Sequence, residues 1–279
     1  MSISKNSALL FKTLWIPDSN KIATLRSKYS LCESALTSLK KDAPKEISQD
    51  SILVKSTTPQ TPSIKETPPK PIKDTQEEKR LIAPQVINTK PDLISNWTQL
   101  EQQIIACTNC KLCSNGRTQV VIERGNREAK WMFIGEGPGE QEDLQGKPFV
   151  GASGQLLDKM ITAMQLNNQN DVYIANVVKC RPPRNRNPEL EEINACKNYL
   201  LSQIALVKPQ IIITLGRYAA QTLLENETAI GKLRNKVHDF QGIPLIVTYH
   251  PAYLLRTPDA KKDAWEDLKL ALTEYNKAL

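Results

Sequence analysis

The chain has 279 residues, a formal net charge of +7, six cysteines and two histidines, a length that admits one or two domains. No segment reaches the roughly 18 uninterrupted apolar residues that a membrane helix needs, and the apolar stretch Ala8 to Phe11, broken by Lys12, is unlike a secretion signal. A cytoplasmic protein without a membrane anchor is expected, and its net charge is no nucleic-acid signature for the folded part: residues 93–279 hold 22 Lys or Arg against 20 Asp or Glu, residues 1–92 hold 15 against 10.

In chain order, SALLFKTLW and IATLRSKYSLCESALTSLKK come first, with Ile22, Leu25, Tyr29, Cys32 and Leu36 at roughly helical spacing. Residues 1–41 are therefore predicted to be a short helical segment, read first as a frayed or locally packed appendage and second as a place where a protein partner could dock. Residues 42–92 mix Pro, Lys, Thr, Gln and Glu and contain 8 of the 18 prolines, while all 11 glycines lie at or beyond Gly116. Such a stretch cannot bury enough apolar surface to offset chain entropy, so a disordered linker is predicted, followed by one folded domain over 93–279.

Within that domain, Cys107 and Cys110 form a C-x2-C pair that Cys113 extends, and Cys180 and Cys196 follow at C-x15-C spacing. Two intervening residues let one tight turn present two sulfurs to a metal centre. A zinc ribbon closes with a second C-x2-C knuckle, and a two-cluster ferredoxin continues C-x3-C-P; neither pattern fits. A [4Fe-4S] cluster and a four-cysteine zinc site both satisfy the spacing, with Cys113 an accessory thiol.

Four apolar runs, Trp131 to Ile134, Val172 to Ala175, Ile211 to Leu215 and Ile243 to Val247, are separated by helical segments and read as parallel strands. Ligands of an open α/β sheet sit outside the carboxyl ends of its strands. Those ends carry Gly135-Glu136-Gly137-Pro138-Gly139, Asn176, Gly216 and His250. The glycine run allows close backbone approach to a ligand, and neither a phosphate-binding loop nor a G-x-G-x-x-G fingerprint matches it. Past Asn176, the cluster Lys179, Arg181, Arg184 and Arg186 is suited to backbone phosphates. His238 follows no strand run and reads as a surface residue.

Taken together, GEGPGEQED, KPFVGASGQLL, YIANVVKCRPPRNRNP, LGRYAAQTLL and YHPAYLLR, with the cysteines at 107, 110, 180 and 196, resemble the family 4 uracil-DNA glycosylases from about Trp97 to Leu270. The resemblance implies a three-layer α/β/α sandwich around a four-stranded, mostly parallel sheet. It implies a [4Fe-4S] cluster on Cys107, Cys110, Cys180 and Cys196. It also implies a monomeric, monofunctional glycosylase that releases uracil from DNA and leaves an abasic site. The alternative is a uracil-DNA-binding protein without turnover on the same scaffold; KPFVGASGQLLDKM lacks the inserted basic loop of a relative that traps the sugar covalently, which favours turnover.

The same resemblance assigns roles. Phe149 stacks on a flipped base, and Asn176 reads it: an amide complements O4 and N3-H of uracil and mismatches cytosine. His250 is the catalytic donor to uracil O2, with Pro251 stiffening its loop. Gly135, Glu136 and Gly137 form the other wall of the base pocket, Glu136 orienting water or offsetting the sugar cation, with Glu142 a second candidate. Leu254, Leu255 and Arg256 resemble a duplex-insertion loop; Arg181 and Arg184, by contrast, are candidate DNA contacts as members of the basic cluster past Asn176.

Overall fold

The computed structural model describes residues 93–277, so the readings made for residues 1–92, including Cys32, lie outside the described residues. Among the described residues, eight α-helices and six strands follow one another. They are α1 (Trp97–Ile105), β1 (Arg124–Gly125), β2 (Trp131–Gly135), α2 (Glu140–Gln145), α3 (Ala152–Ala163), β3 (Val172–Asn176) and α4 (Leu190–Val207), then β4 (Ile211–Leu215), α5 (Arg217–Leu224), α6 (Ile230–Leu233), β5 (Val237–Phe240), β6 (Ile243–Thr248), α7 (Pro251–Arg256) and α8 (Lys261–Lys277).

The strand order is β1-β3-β2-β4-β6-β5. The four strands expected from the sequence are its parallel centre, in register through pairs such as Gly135 with Asn176 and Leu215 with Thr248. Strands buried on both faces read as continuous apolar runs, and β2, β3 and β4 are buried at every position. The sheet is wider than the four strands predicted, because β1 and β5 extend its two edges antiparallel. Neither carries a legible signal: β1 is two residues long, and β5, Val-His-Asp-Phe, is a half-exposed edge. His238 accordingly sits in a strand rather than a loop, half-buried, with Nε2 2.7 Å from the Leu233 carbonyl.

Alternation along the strands sorts the core into two layers. Met132, Ile134, Tyr173, Ala175, Ile212, Leu245 and Val247 pack against α1, α4 and α5. Trp131, Phe133, Val172, Ile174, Ile213 and Ile246 pack against α3, α7 and α8. The three-layer sandwich follows directly. Local signals place the helix starts: the Asn96 side chain accepts from Gln99 N at 2.8 Å, Glu192 accepts from Glu189 N at 2.8 Å, and Pro251 occupies the first turn of α7.

One buried ion pair clamps the sheet's far edge to α8. Arg234 Nε lies 2.7 Å from Asp267 Oδ2, and Asn235 N donates to Asp267 Oδ1 at 3.0 Å. The Arg234 guanidinium also stacks 4.0 Å from the ring of Tyr249, the residue before His250. Removing one member of such a pair strands the other charge. Asp267→Ala should therefore destabilise the protein by about 3–5 kcal/mol, read from the urea unfolding midpoint.

Candidate functional site

The carboxyl ends of β2, β3, β4 and β6 open into a cleft of about 830 Å³ whose lining includes Glu136, Phe149, Asn176, Gly216, Tyr249 and His250. Its floor is built by tight backbone approach. A Cβ on Gly135 would lie 2.5 Å from Asn176 Oδ1 and 2.6 Å from the Phe149 ring, so only glycine lets the amide and the ring meet at that strand end. Phe149 itself is held at φ +56°, a left-handed backbone that costs a non-glycine residue energy and is found where surrounding structure enforces it. The enforcing contacts include Arg124 Nη1, which donates to the Phe149 carbonyl at 2.9 Å.

Asn176 is buried, and its Oδ1 has no hydrogen-bond partner among the described residues. A buried orphan acceptor is destabilising unless a ligand supplies the donor. Opposite it, His250 caps α7: its Nδ1 accepts from Ala252 N at 3.1 Å. With Nδ1 an acceptor, the neutral ring carries its proton on Nε2. Burial, reinforced by the charge of Arg256, lowers the His250 pKa to about 4, so the ring is neutral at physiological pH. Its centroid lies 5.7 Å from that of Phe149.

Glu136 reaches the start of α5, where Oε1 accepts from Tyr218 N at 3.3 Å. Gly216, at φ +98°, makes the turn into that helix, and a Cβ there would fall 2.4 Å from Glu136 Oε1. Burial raises the Glu136 pKa, while Tyr218 N and the Arg217 guanidinium act in the opposite direction. Glu142 is not a solvated carboxylate. Its Oε2 accepts from Gly139 N at 3.1 Å and its Oε1 from Val150 N and Gly151 N at 3.0 and 2.9 Å. It staples the glycine run to the Phe149 loop.

Two members of the sequence-predicted nucleic-acid surface are displaced. Leu254 is fully buried against the α3 and α8 layer, whereas Leu255, 45% exposed, projects from α7. Leu254 is thus part of the core, and of the two leucines only Leu255 is at the surface. Lys179 is also fully buried, its ammonium satisfied internally, and cannot meet a phosphate. Arg186 pairs with Glu192 at 2.6 Å, and Arg181 donates to Asn185 Oδ1 at 2.8 Å and faces Glu140 at 3.5 Å. Arg184 and Arg256 are exposed at the surface. Arg217 and Tyr218, cleft residues that the strand-end pattern did not single out, stack with the guanidinium 4.6 Å from the ring. Their signal was their position immediately after Gly216.

On the far side of β3, Cys107, Cys110, Cys180 and Cys196 line one small cavity with Cys113, Arg117, Lys179 and Tyr199. Arg117 Nη1 donates to Cys180 Sγ at 3.0 Å and Nη2 to the Cys107 carbonyl at 3.3 Å. Burial raises the pKa of Cys110 and Cys180 and pushes Cys196 up to about 11. Such thiols are poor free nucleophiles, and a bound metal's charge is what would deprotonate them. Among the described residues, no three His, Cys, Asp or Glu side chains converge on a point that would hold a single metal ion.

Comparison with known proteins agrees with this arrangement. A family model described as the uracil DNA glycosylase superfamily matches residues 122–269. A type-4 uracil-DNA glycosylase of Sulfurisphaera tokodaii is 44% identical over 179 residues, covering 61% of this chain and 81% of that protein. One from Thermotoga maritima is 41% identical over 176 residues, 62% of this chain and 91% of that protein. A type-5 uracil-DNA glycosylase of Pyrobaculum aerophilum is 30% identical over 146 residues, covering 47% and 64%. With its sheet order, its cleft at four strand ends and these matches, the chain belongs to the uracil DNA glycosylase superfamily, among the type-4 uracil-DNA glycosylases.

Proposed function

We propose that this protein is a monofunctional glycosylase that hydrolyses the N-glycosidic bond of deoxyuridine in DNA, releases uracil and leaves an abasic site for base excision repair. The observation that carries the reading is the pairing, in one cleft, of an orphan buried acceptor on Asn176 with a neutral His250 whose free proton is on Nε2. Uracil presents an N3-H donor to the first and a carbonyl oxygen to the second. Cytosine has no proton at N3, so the same acceptor would meet a lone pair.

The chemistry follows from the residues present. Flipping the nucleotide costs a few kcal/mol, and stacking on Phe149 returns about 1–3 kcal/mol of it. As the glycosidic bond lengthens, negative charge gathers on uracil O2 and positive charge on the sugar. The Nε2-H of His250 donates to that oxygen, a preorganised dipole acting in a partly dry cleft. Glu136, fixed by Tyr218 N, is the carboxylate that faces the sugar and positions the attacking water. Gly135 and Gly137 line the pocket wall, Leu255 fills the vacated stack, and Arg184, Arg256 and Arg181 border the strand.

Cys107, Cys110, Cys180 and Cys196 are the residues that would hold a [4Fe-4S] cluster. What supports this is that the four sulfurs, from three separate chain segments, line one cavity, and that Arg117 beside Cys180 supplies a compensating positive charge. When bound, that cluster is a structural cross-link of three chain segments. A monomer in the cytoplasm, where DNA is accessible and thiols stay reduced, completes the reading, with residues 1–92 the place for a protein partner. The reading is tested on a uracil-containing oligonucleotide analysed with and without alkali. Strand scission only after alkali is expected; intact strand in both lanes would replace this reading with a binding protein that does not turn over.

His250→Ala should lower the single-turnover rate about 10²- to 10³-fold with much smaller loss of DNA binding. Because the folded pKa of about 4 lies below the ordinary value, the wild-type rate should show no His250 step between pH 5 and 8. The same depression makes His250's contribution to stability complete above about pH 6.5 and lost as pH falls toward 4. Urea midpoints of the wild type and His250→Ala should therefore converge as the medium is acidified.

Asn176→Asp should begin to release cytosine, since a protonated carboxyl offers donor and acceptor in reversed order, and should lose much of its uracil activity; paired uracil and cytosine oligonucleotides read both. Gly135→Ala should lower kcat/KM about 10²-fold by pushing Asn176 or Phe149 out of place, with little change in far-ultraviolet circular dichroism. A chain beginning at residue 93 should keep its colour and most of its single-turnover activity, while its DNA affinity falls less steeply with salt, because 15 basic residues are gone.

A further inference from the structure

Lys179 is a fully buried lysine that the chemistry above leaves unused. It is 1% exposed. Its Nζ donates to the Asn176 carbonyl at 2.6 Å and to Gln203 Oε1 at 2.6 Å. Gln203 is itself fully buried, and its Nε2 donates to Ile122 O at 3.0 Å and to Tyr173 Oη at 2.8 Å. Tyr173 in turn donates to Glu123 Oε2 at 2.5 Å. A lysine is rarely buried this fully unless it is held by several partners. The titratable groups that act on it are the Cys196 and Cys180 thiols and the Glu123 carboxylate.

The placement of these partners is informative. Cys180 follows Lys179 directly in the chain, and Gln203 lies seven residues after Cys196 on α4, which puts both on one face of that helix. One ammonium therefore touches the backbone of Asn176 at one end and the helix that carries a thiol at the other. We propose that Lys179 is a positioning residue that joins the thiol site to the base-reading end of β3, holding the Asn176 carbonyl against α4 so that the amide meets the base at a fixed place. The proposal rests on the reading of Asn176 as the residue that reads uracil.

Binding energy lost through a displaced Asn176 appears in KM, since its contacts are made in the ground state as well as in the transition state. Lys179→Met keeps the length of the side chain and removes the donor. Gln203→Met breaks the same buried network while leaving the Lys179 contact to Asn176 in place. Each variant is purified as holoprotein, its iron content and visible absorbance are measured, and KM and kcat are determined on a uracil oligonucleotide alongside the melting temperature.

Both variants should melt lower than the wild type with iron retained. Lys179→Met alone should raise KM about tenfold or more, with kcat changed less than about threefold, the scale expected when a charged hydrogen bond is removed. KM within twofold of wild type in Lys179→Met, or an equal rise in both variants, would overturn the proposal. Lys179→Gln, which retains an N–H donor for the carbonyl, should lie between Lys179→Met and the wild type. Should Lys179→Met not accumulate, Lys179→Gln against Gln203→Met carries the same comparison, and equal KM values overturn it. Asn176→Ala separates the two readings: an unchanged KM there removes the base-reading role and the proposal with it, whereas a raised KM beside an unaffected Lys179→Met removes only the joint.

Discussion

Parallel strands buried on both faces leave the chain one place to present polar side chains to a ligand, the edge where the strands stop. In this protein β2, β3, β4 and β6 stop together, and the register that pairs Gly135 with Asn176 and Leu215 with Thr248 aligns their last residues. Loop lengths and sequence beyond that edge can vary, but the relative positions of Asn176, Gly135, Gly216 and the loop to His250 follow from sheet hydrogen bonding. A rigid scaffold carrying functional groups at its rim is how an active site avoids the looseness of a loop-built one.

The edge is expensive to build in polar groups. Asn176 and Lys179 are both buried within four residues, Glu136 is drawn toward a helix N-terminus, and Phe149 adopts a left-handed backbone. Each is a local departure from what a stable core prefers, and each is compensated by a specific neighbour: Gln203 for Lys179, Tyr218 N for Glu136, Arg124 for Phe149. The Asn176 acceptor lacks such a neighbour; among the described residues Arg124 Nε, Asn168 Oδ1 and Thr248 Oγ1 are the other buried polar atoms without one. Of these, Asn176 Oδ1 belongs to a side chain that lines the cleft, which fits a site whose missing partner arrives with the substrate.

The thiol site extends this logic away from the cleft. Cys107 and Cys110 follow α1, Cys180 follows the β3 edge, and Cys196 lies on α4, so the cavity they line gathers three segments that the sheet alone does not connect. The C-terminal side has a counterpart in the Arg234 and Asp267 pair, which reaches the loop of His250 through Tyr249. The ionic pair is a clamp, whereas the cysteines line their cavity as free thiols. Each lies behind one of the two groups that would hold the base.

The sequence by itself determined the parallel strands, their order of appearance and the residues at their ends, because continuous apolar runs and short motifs are local signals. It also carried the four cysteines and the family resemblance, which needs only the succession of motifs. It could not show the two edge strands, since a two-residue strand and a half-exposed one have no period to detect. Nor could it decide between Leu254 and Leu255, or take Lys179 out of the phosphate-facing cluster: charge and apolarity are read along a chain, but which way a side chain points depends on what packs against it. The burial of Leu254 between α3 and α8, and the enclosure of Lys179 between β3 and α4, exist only once elements distant in sequence are brought together. Side-chain direction is a property of the neighbours, and only the tertiary structure supplies them.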